Sequence, residues 1–167
     1  MSVGSSQAEV ALAMKESGMT ISAGRRSDSI GPAGGPYDWF QRAGELLAQG
    51  NPDAAAQLLE RVLDAEPRSQ AALESLGRAR FDARRYDEAT QAFAVLVECA
   101  PGNDYAHFGL GLCHWHRQHF GEARDHLALA FVMRPSRSEY GRALSQVKAS
   151  LSLRARCDLP LNGSVLS

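Results

Sequence analysis

Three prolines, Pro67, Pro101 and Pro135, stand 34 residues apart, and the same interval separates Ala55, Ala89 and Ala123 upstream of them. A unit of that length holds two helices and their turns but too little surface to bury its own apolar face. It must therefore stack on copies of itself. This predicts an all-α chain, a right-handed α-solenoid of helix-turn-helix units. The stack leaves a groove suited to binding another chain.

Laid in register, residues 36–69, 70–103 and 104–137 each read as helix, turn, helix, with polar or turn-prone residues at both junctions. Ala43, Gly77 and Gly111 are small points in the first helices, facing Ala55, Ala89 and Ala123 in the second, so the two can approach closely. Around them, Trp39 and Leu46, then Leu73, Leu76 and Arg80, then His107, Leu110 and His114 form an inner stripe. Leu59 and Val62, Phe93 and Leu96, and Leu127 and Ala130 recur on one face of the second helices.

These residues resemble the tetratricopeptide repeat (TPR) family, whose pattern runs Trp or Leu, Leu-Gly, an aromatic, Ala, Phe, Ala, Pro. The middle block supplies Leu73, Leu76, Gly77, Tyr86, Ala89, Phe93 and Pro101, and the third Leu110, Gly111, Phe120, Ala123, Ala130 and Pro135. The first block departs from it, with Arg42-Ala43 in place of Leu-Gly and Pro52 in place of the aromatic. The resemblance implies three tandem repeats and a non-catalytic role in protein binding. Some family members grip acidic chaperone tails through groove cations, but the matching places here hold Phe40, Gly44, Ser75, Tyr105 and Gly109, so that use is not expected.

The flanks read differently. Residues 1–35 are rich in Ser, Gly and Ala and end in Gly31-Pro32-Ala33-Gly34-Gly35, which predicts a disordered or weakly helical tail. Ala8 to Met14 is an apolar stretch able to dock in the chain's own groove or a partner's. Residues 138–156 are expected to form a capping helix, introduced by a Ser136/Glu139 capping box, with Tyr140, Leu144, Val147 and Leu151 on its buried face. A flexible tail is expected from 157 to 167.

The opposite face of each first helix should line the groove. It offers Tyr37, Phe40, Gly44 and Leu47, then Glu74, Arg78, Phe81 and Asp82, then Tyr105, Phe108, Leu112, Trp115 and His116. The expected peptide-binding residues are Tyr37, Phe40, Glu74, Arg78, Phe81, Tyr105, Phe108, Leu112, Trp115 and His116. Aromatic groups supply the pockets, while Arg78 and Glu74 set orientation. The competing expectation is that superhelical curvature closes several of them into the core.

Composition narrows the function classes. A net charge of −1 lacks the basic excess of nucleic-acid binders, although charge drifts from −3 over 36–69 to +2 after 137. No apolar run is long enough for membrane insertion, and the start lacks a basic flank ahead of its apolar patch, so a cytoplasmic location is expected. Cys99, Cys113 and Cys157 lack paired spacing and read as reduced thiols. His107, His114, His116, His119 and His126 crowd the third block, but His107 and His114 are two turns apart, and no metal, cofactor or catalytic site is expected. The function expected is a protein-interaction adaptor with a protein or peptide partner. Alternatives are a holder resembling type III secretion chaperones, a homodimeric scaffold, or a metal-binding protein.

Overall fold

The computed structural model describes residues 34–163, so the expectations for residues 1–33, including docking of Ala8 to Met14, lie outside the described residues. Among the described residues seven helices follow one another: α1 (Pro36–Ala48), α2 (Pro52–Ala65), α3 (Gln70–Asp82), α4 (Tyr86–Cys99), α5 (Asp104–His116), α6 (Phe120–Met133) and α7 (Ser138–Arg156). The odd-numbered helices begin 34 residues apart, and so do α2, α4 and α6. Each helix packs on the next, which makes a solenoid.

Local chemistry explains the boundaries. Pro36 and Pro52 occupy first-turn positions, where a missing N–H costs nothing, and the Asn103 side chain accepts the Ala106 N–H at 2.9 Å to cap α5. Each second helix ends two residues before its proline. Glu66, Ala100 and Arg134 have φ of −132°, −144° and −143°, the extended backbone that a following proline imposes. The turns within repeats place Gly50, Arg84 and Gln118 at φ of 77°, 61° and 60°, so two of the three left-handed positions are taken by residues other than glycine.

The core follows the small residues. A Cβ on Gly77 would lie 2.7 Å from the Phe93 ring, and one on Gly111 would lie 2.5 Å from Leu127. Gly109, which the repeat pattern did not mark as a packing point, is as tight, with a Cβ there 2.6 Å from the same Phe93 ring. The main apolar cluster joins the second and third repeats to α7, and a smaller one holds the first repeat to α3. Arg80, half-buried, ion-pairs with Glu60 of α2 and Glu88 of α4 and so ties those repeats together.

The C-terminal part departs from expectation in two places. The Ser136/Glu139 capping box does not form, because α7 starts at Ser138 with Arg137 as its N-cap residue. The stretch expected to be a flexible tail from 157 is, over 158–163, tied down. Arg154, buried under its own aliphatic packing and lying 4.9 Å over the Phe120 ring, donates to the carbonyls of Pro160 (2.7 Å) and Gly163 (2.8 Å). Gly163 N–H in turn donates to the Gln118 carbonyl at 3.0 Å. A buried guanidinium requires such acceptors, and folding the chain back supplies them.

Candidate peptide-binding groove

The first helices α1, α3, α5 and α7 contact one another in sequence and carry the residues expected to bind. Their placement divides the ten into two sets. Phe81, Tyr105, Phe108 and Leu112 are buried, at 7%, 6%, 1% and 1% exposure. Tyr37 and His116 are exposed, and Phe40, Glu74, Arg78 and Trp115 are half-buried. The aromatic stripe thus does not stand open along its whole length.

The reason is the neighbouring helix. Tyr140 of α7 lies 4.5 Å from the Phe108 ring and donates its hydroxyl to Asp104 Oδ2 at 2.8 Å, while Tyr105 meets Phe93 edge-on at 6.1 Å. Asp104 also pairs at 3.3 Å with Arg134, which closes α6, so the start of α5 is tied both to the end of α6 and, through Tyr140, to α7. Burial and the bond to Asp104 push the Tyr140 phenol far up, so it remains a donor. His116 stacks on Tyr86 at 4.4 Å and meets Phe81 edge-on at 5.3 Å, closing the end of α3. Helical spacing alone places Tyr140 on the buried face of the cap, but its role as a lid on Phe108 needs the stacking of α7 on α5.

What stays open lies between α1 and α3. A cavity of about 230 Å³ is lined by Phe40, Gln41, Gly44, Leu47, Ala48, Ser75 and Arg78. A Cβ on Gly44 would meet nothing within 4 Å, so the floor of the cavity is empty space above bare backbone. Gln41 and Ser75 were not among the expected site residues. The signal was their place one turn before Gly44 and Arg78 on the same helix faces.

The rim is charged. Arg78 Nε lies 3.7 Å from Asp82 Oδ2, one turn along α3. Burial raises the Asp82 pKa despite Arg78. Burial likewise raises that of Glu74, with Asp104 adding to the rise while Asn103, Arg137 and Arg78 oppose it. Both carboxylates are therefore partly desolvated, which suits binding of polar or cationic groups better than of a carboxylate tail.

Among the described residues no group of three or more His, Cys, Asp or Glu side chains could hold a metal ion, and no helix is long and apolar enough to cross a membrane. Cys113 is buried and its thiol is pushed up to about 12 by desolvation, which removes it as a nucleophile near neutral pH.

A family model described as tetratricopeptide repeat matches residues 40–104. The first TPR domain of Spaghetti (RPAP3), solved with an HSP90 peptide, superposes with a TM-score of 0.68 at 17% identity, covering 70% of this chain and 93% of that one. Over residues 40–104 these repeats match the tetratricopeptide repeat pattern. A second structural neighbour is MamA, with a TM-score of 0.67 at 17% identity over 72% of this chain and 70% of that one. The Arabidopsis thaliana protein CTR9 homolog is 28% identical over 128 residues, 74% of this chain. The chain spans only 12% of that relative's length.

Proposed function

We propose that this TPR chain is a non-catalytic adaptor that holds a segment of a partner protein, with an apolar side chain seated in the cavity between α1 and α3. The observation that carries the reading is the empty floor at Gly44, walled by Phe40 and Leu47 and rimmed by Arg78. Neighbouring TPR structures hold peptides, SRMEEVD of HSP90 in one and SGPTIEEVD of HSP70 in another. Those peptides end in carboxylates. Here, among the described residues, Arg78 is the one guanidinium on the cavity wall and it is already paired with Asp82, so the anchor is apolar and its neighbours are neutral or basic. Tyr37, Trp115 and His116 extend the contact along the open rim, while Phe81, Tyr105, Phe108 and Leu112 stiffen the wall behind it.

Selection from a displayed peptide library on the full chain tests this. Gly44→Phe, whose Cβ meets no atom within 4 Å, puts a ring into the cavity and should abolish binding of the enriched peptides with helicity unchanged. Equal binding to that variant would refute the site. The homodimeric scaffold draws on one observation, the exposed Val95, Leu129, Val132 and Met133 on α4 and α6. Light scattering on wild type and Leu129→Glu separates the two readings, because a dimer through that face would dissociate in the variant.

A further inference from the structure

Four imidazoles line up between α5 and α6, and the groove uses none of them. His107 and His114 come from α5, His126 from α6, and His119 precedes α6. Ring centroids are 5.4 Å apart for His107 and His126, 5.6 Å for His126 and His114, and 5.9 Å for His114 and His119, with planes no more than 28° from parallel.

Hydrogen bonds fix where the protons sit. His107 is buried, and its Nε2 lies 3.1 Å from the Pro101 carbonyl oxygen, an acceptor only, so Nε2 carries the proton. In the neutral ring Nδ1 is then an acceptor. His126 Nδ1, 3.2 Å away, must donate to it. A further proton can settle on His126 Nε2 with this N–H···N bridge intact. The next has no such place. On His107 Nδ1 it sets N–H against N–H, and on His114 it stacks a second cation 5.6 Å from the first. His114 Nδ1 is itself buried without a hydrogen-bond partner.

We propose that this histidine row is a proton-responsive joint: neutral or singly protonated it holds α6 against α5, and a second proton drives the two helices apart, loosening the third repeat and the seat of α7. The charged groups facing the row leave this intact. Glu122 and Asp125 of α6 favour protonation, whereas Arg117 and the histidines themselves oppose it. Glu122 accepts from Asn162 and Asp125 from Arg124, which weakens their pull. The adjoining segments contribute the neutral Pro101 carbonyl and Asn162 amide. Desolvation is the largest effect on His114 and His126, and it lowers both. Since their unfolded value is about 6.5, the joint is fully stable above that pH and weakens as pH falls below it.

Hydrogen exchange on the full chain, corrected for intrinsic rates, tests the joint. Between pH 7.5 and 5.5 the α5 and α6 amides should lose protection by about tenfold or more while α1 to α3 hold. In His126→Gln the amide still donates to His107 Nδ1 but takes no proton, so the loss should shrink to less than about threefold. His114→Leu, which leaves the bridge untouched, should shrink it too, and circular dichroism at pH 7.5 verifies that both variants are folded. Equal protection at the two pH values, or an undiminished loss in both variants, overturns the proposal. So does a gain in α5 and α6 protection when zinc is added at pH 7.5 to wild type but not to His126→Gln, which would make the row a metal site.

Discussion

The Phe93 ring sits where two glycines leave room for it, and this permits a test by sign as well as by size. In Gly77→Ala the new Cβ would lie 2.7 Å from Cε1 and Cζ of Phe93, nearly an ångström inside ordinary carbon contact. The ring cannot retreat freely, because it is fully buried and the Gly109 backbone abuts it as closely. Overpacking of this kind costs about 1–3 kcal/mol, and the gain in helix propensity from glycine to alanine returns about 1. The net expectation is a loss of up to about 2 kcal/mol, a fall in the urea midpoint of up to about 1 M. Gly44 is an equally helical glycine whose Cβ would meet nothing, so Gly44→Ala should instead stabilise by up to about 1 kcal/mol. Phe93→Leu opens the slot at its own cost of about 1–2 kcal/mol. In that background Gly77→Ala should become neutral or stabilising, giving a coupling of about 2 kcal/mol in the double-mutant cycle. Urea unfolding followed at 222 nm measures all four corners. If Gly77→Ala has the same effect with Phe93 and with Leu at that position, the slot does not limit packing and the reasoning fails.

Arg84 and Gln118 hold left-handed backbone that the first repeat gives to Gly50, so Arg84→Gly and Gln118→Gly should each raise stability by about 0.5–1 kcal/mol in the same urea assay. Arg154→Ala removes two hydrogen bonds from a buried guanidinium to the Pro160 and Gly163 carbonyls. It should cost about 2–3 kcal/mol and erase hydrogen-exchange protection at Gly163. With its thiol pushed up to about 12, Cys113 should stay unreactive toward an aromatic disulfide reagent at pH 8 until urea unfolds the chain, whereas the exposed Cys157 reacts at once.

The repeat period reads directly into helix boundaries, because proline, the residue before it and the small packing residues act through local sterics that the sequence states outright. Gly77 and Gly111 are close-packing points as their spacing predicts, and the side chains that abut them are Phe93 and Leu127. Gly109 was missed since its partner lies in the preceding repeat. Helical spacing can say that Phe108 and Tyr105 face away from their own repeat's second helix, but not what covers them. That depends on Tyr140, which is 32 residues beyond Phe108 and reaches it only because α7 continues the stack. The Ser136/Glu139 signature failed for a related reason. The period places the start of α7 at Ser138, in step with α5, and the stacking register overrides the local capping preference.

One register position shows how the stack turns repetition into a single site. Gly44, Arg78 and Leu112 are 34 residues apart and project from successive first helices. Leu112 is buried at 1%, Arg78 forms a wall, and Gly44 leaves a void. The same place therefore passes from filled to open along the solenoid, while the helices around it keep one geometry. Placing leucine at the open end makes this a test of cause. Gly44→Leu copies the third repeat's residue into the first, and it should close the cavity with no loss of stability because no atom lies within 4 Å of the added Cβ. If peptide binding persists in that variant with α1 still helical, the contact surface lies elsewhere on the first helices, and the graded register position does not decide where a partner docks.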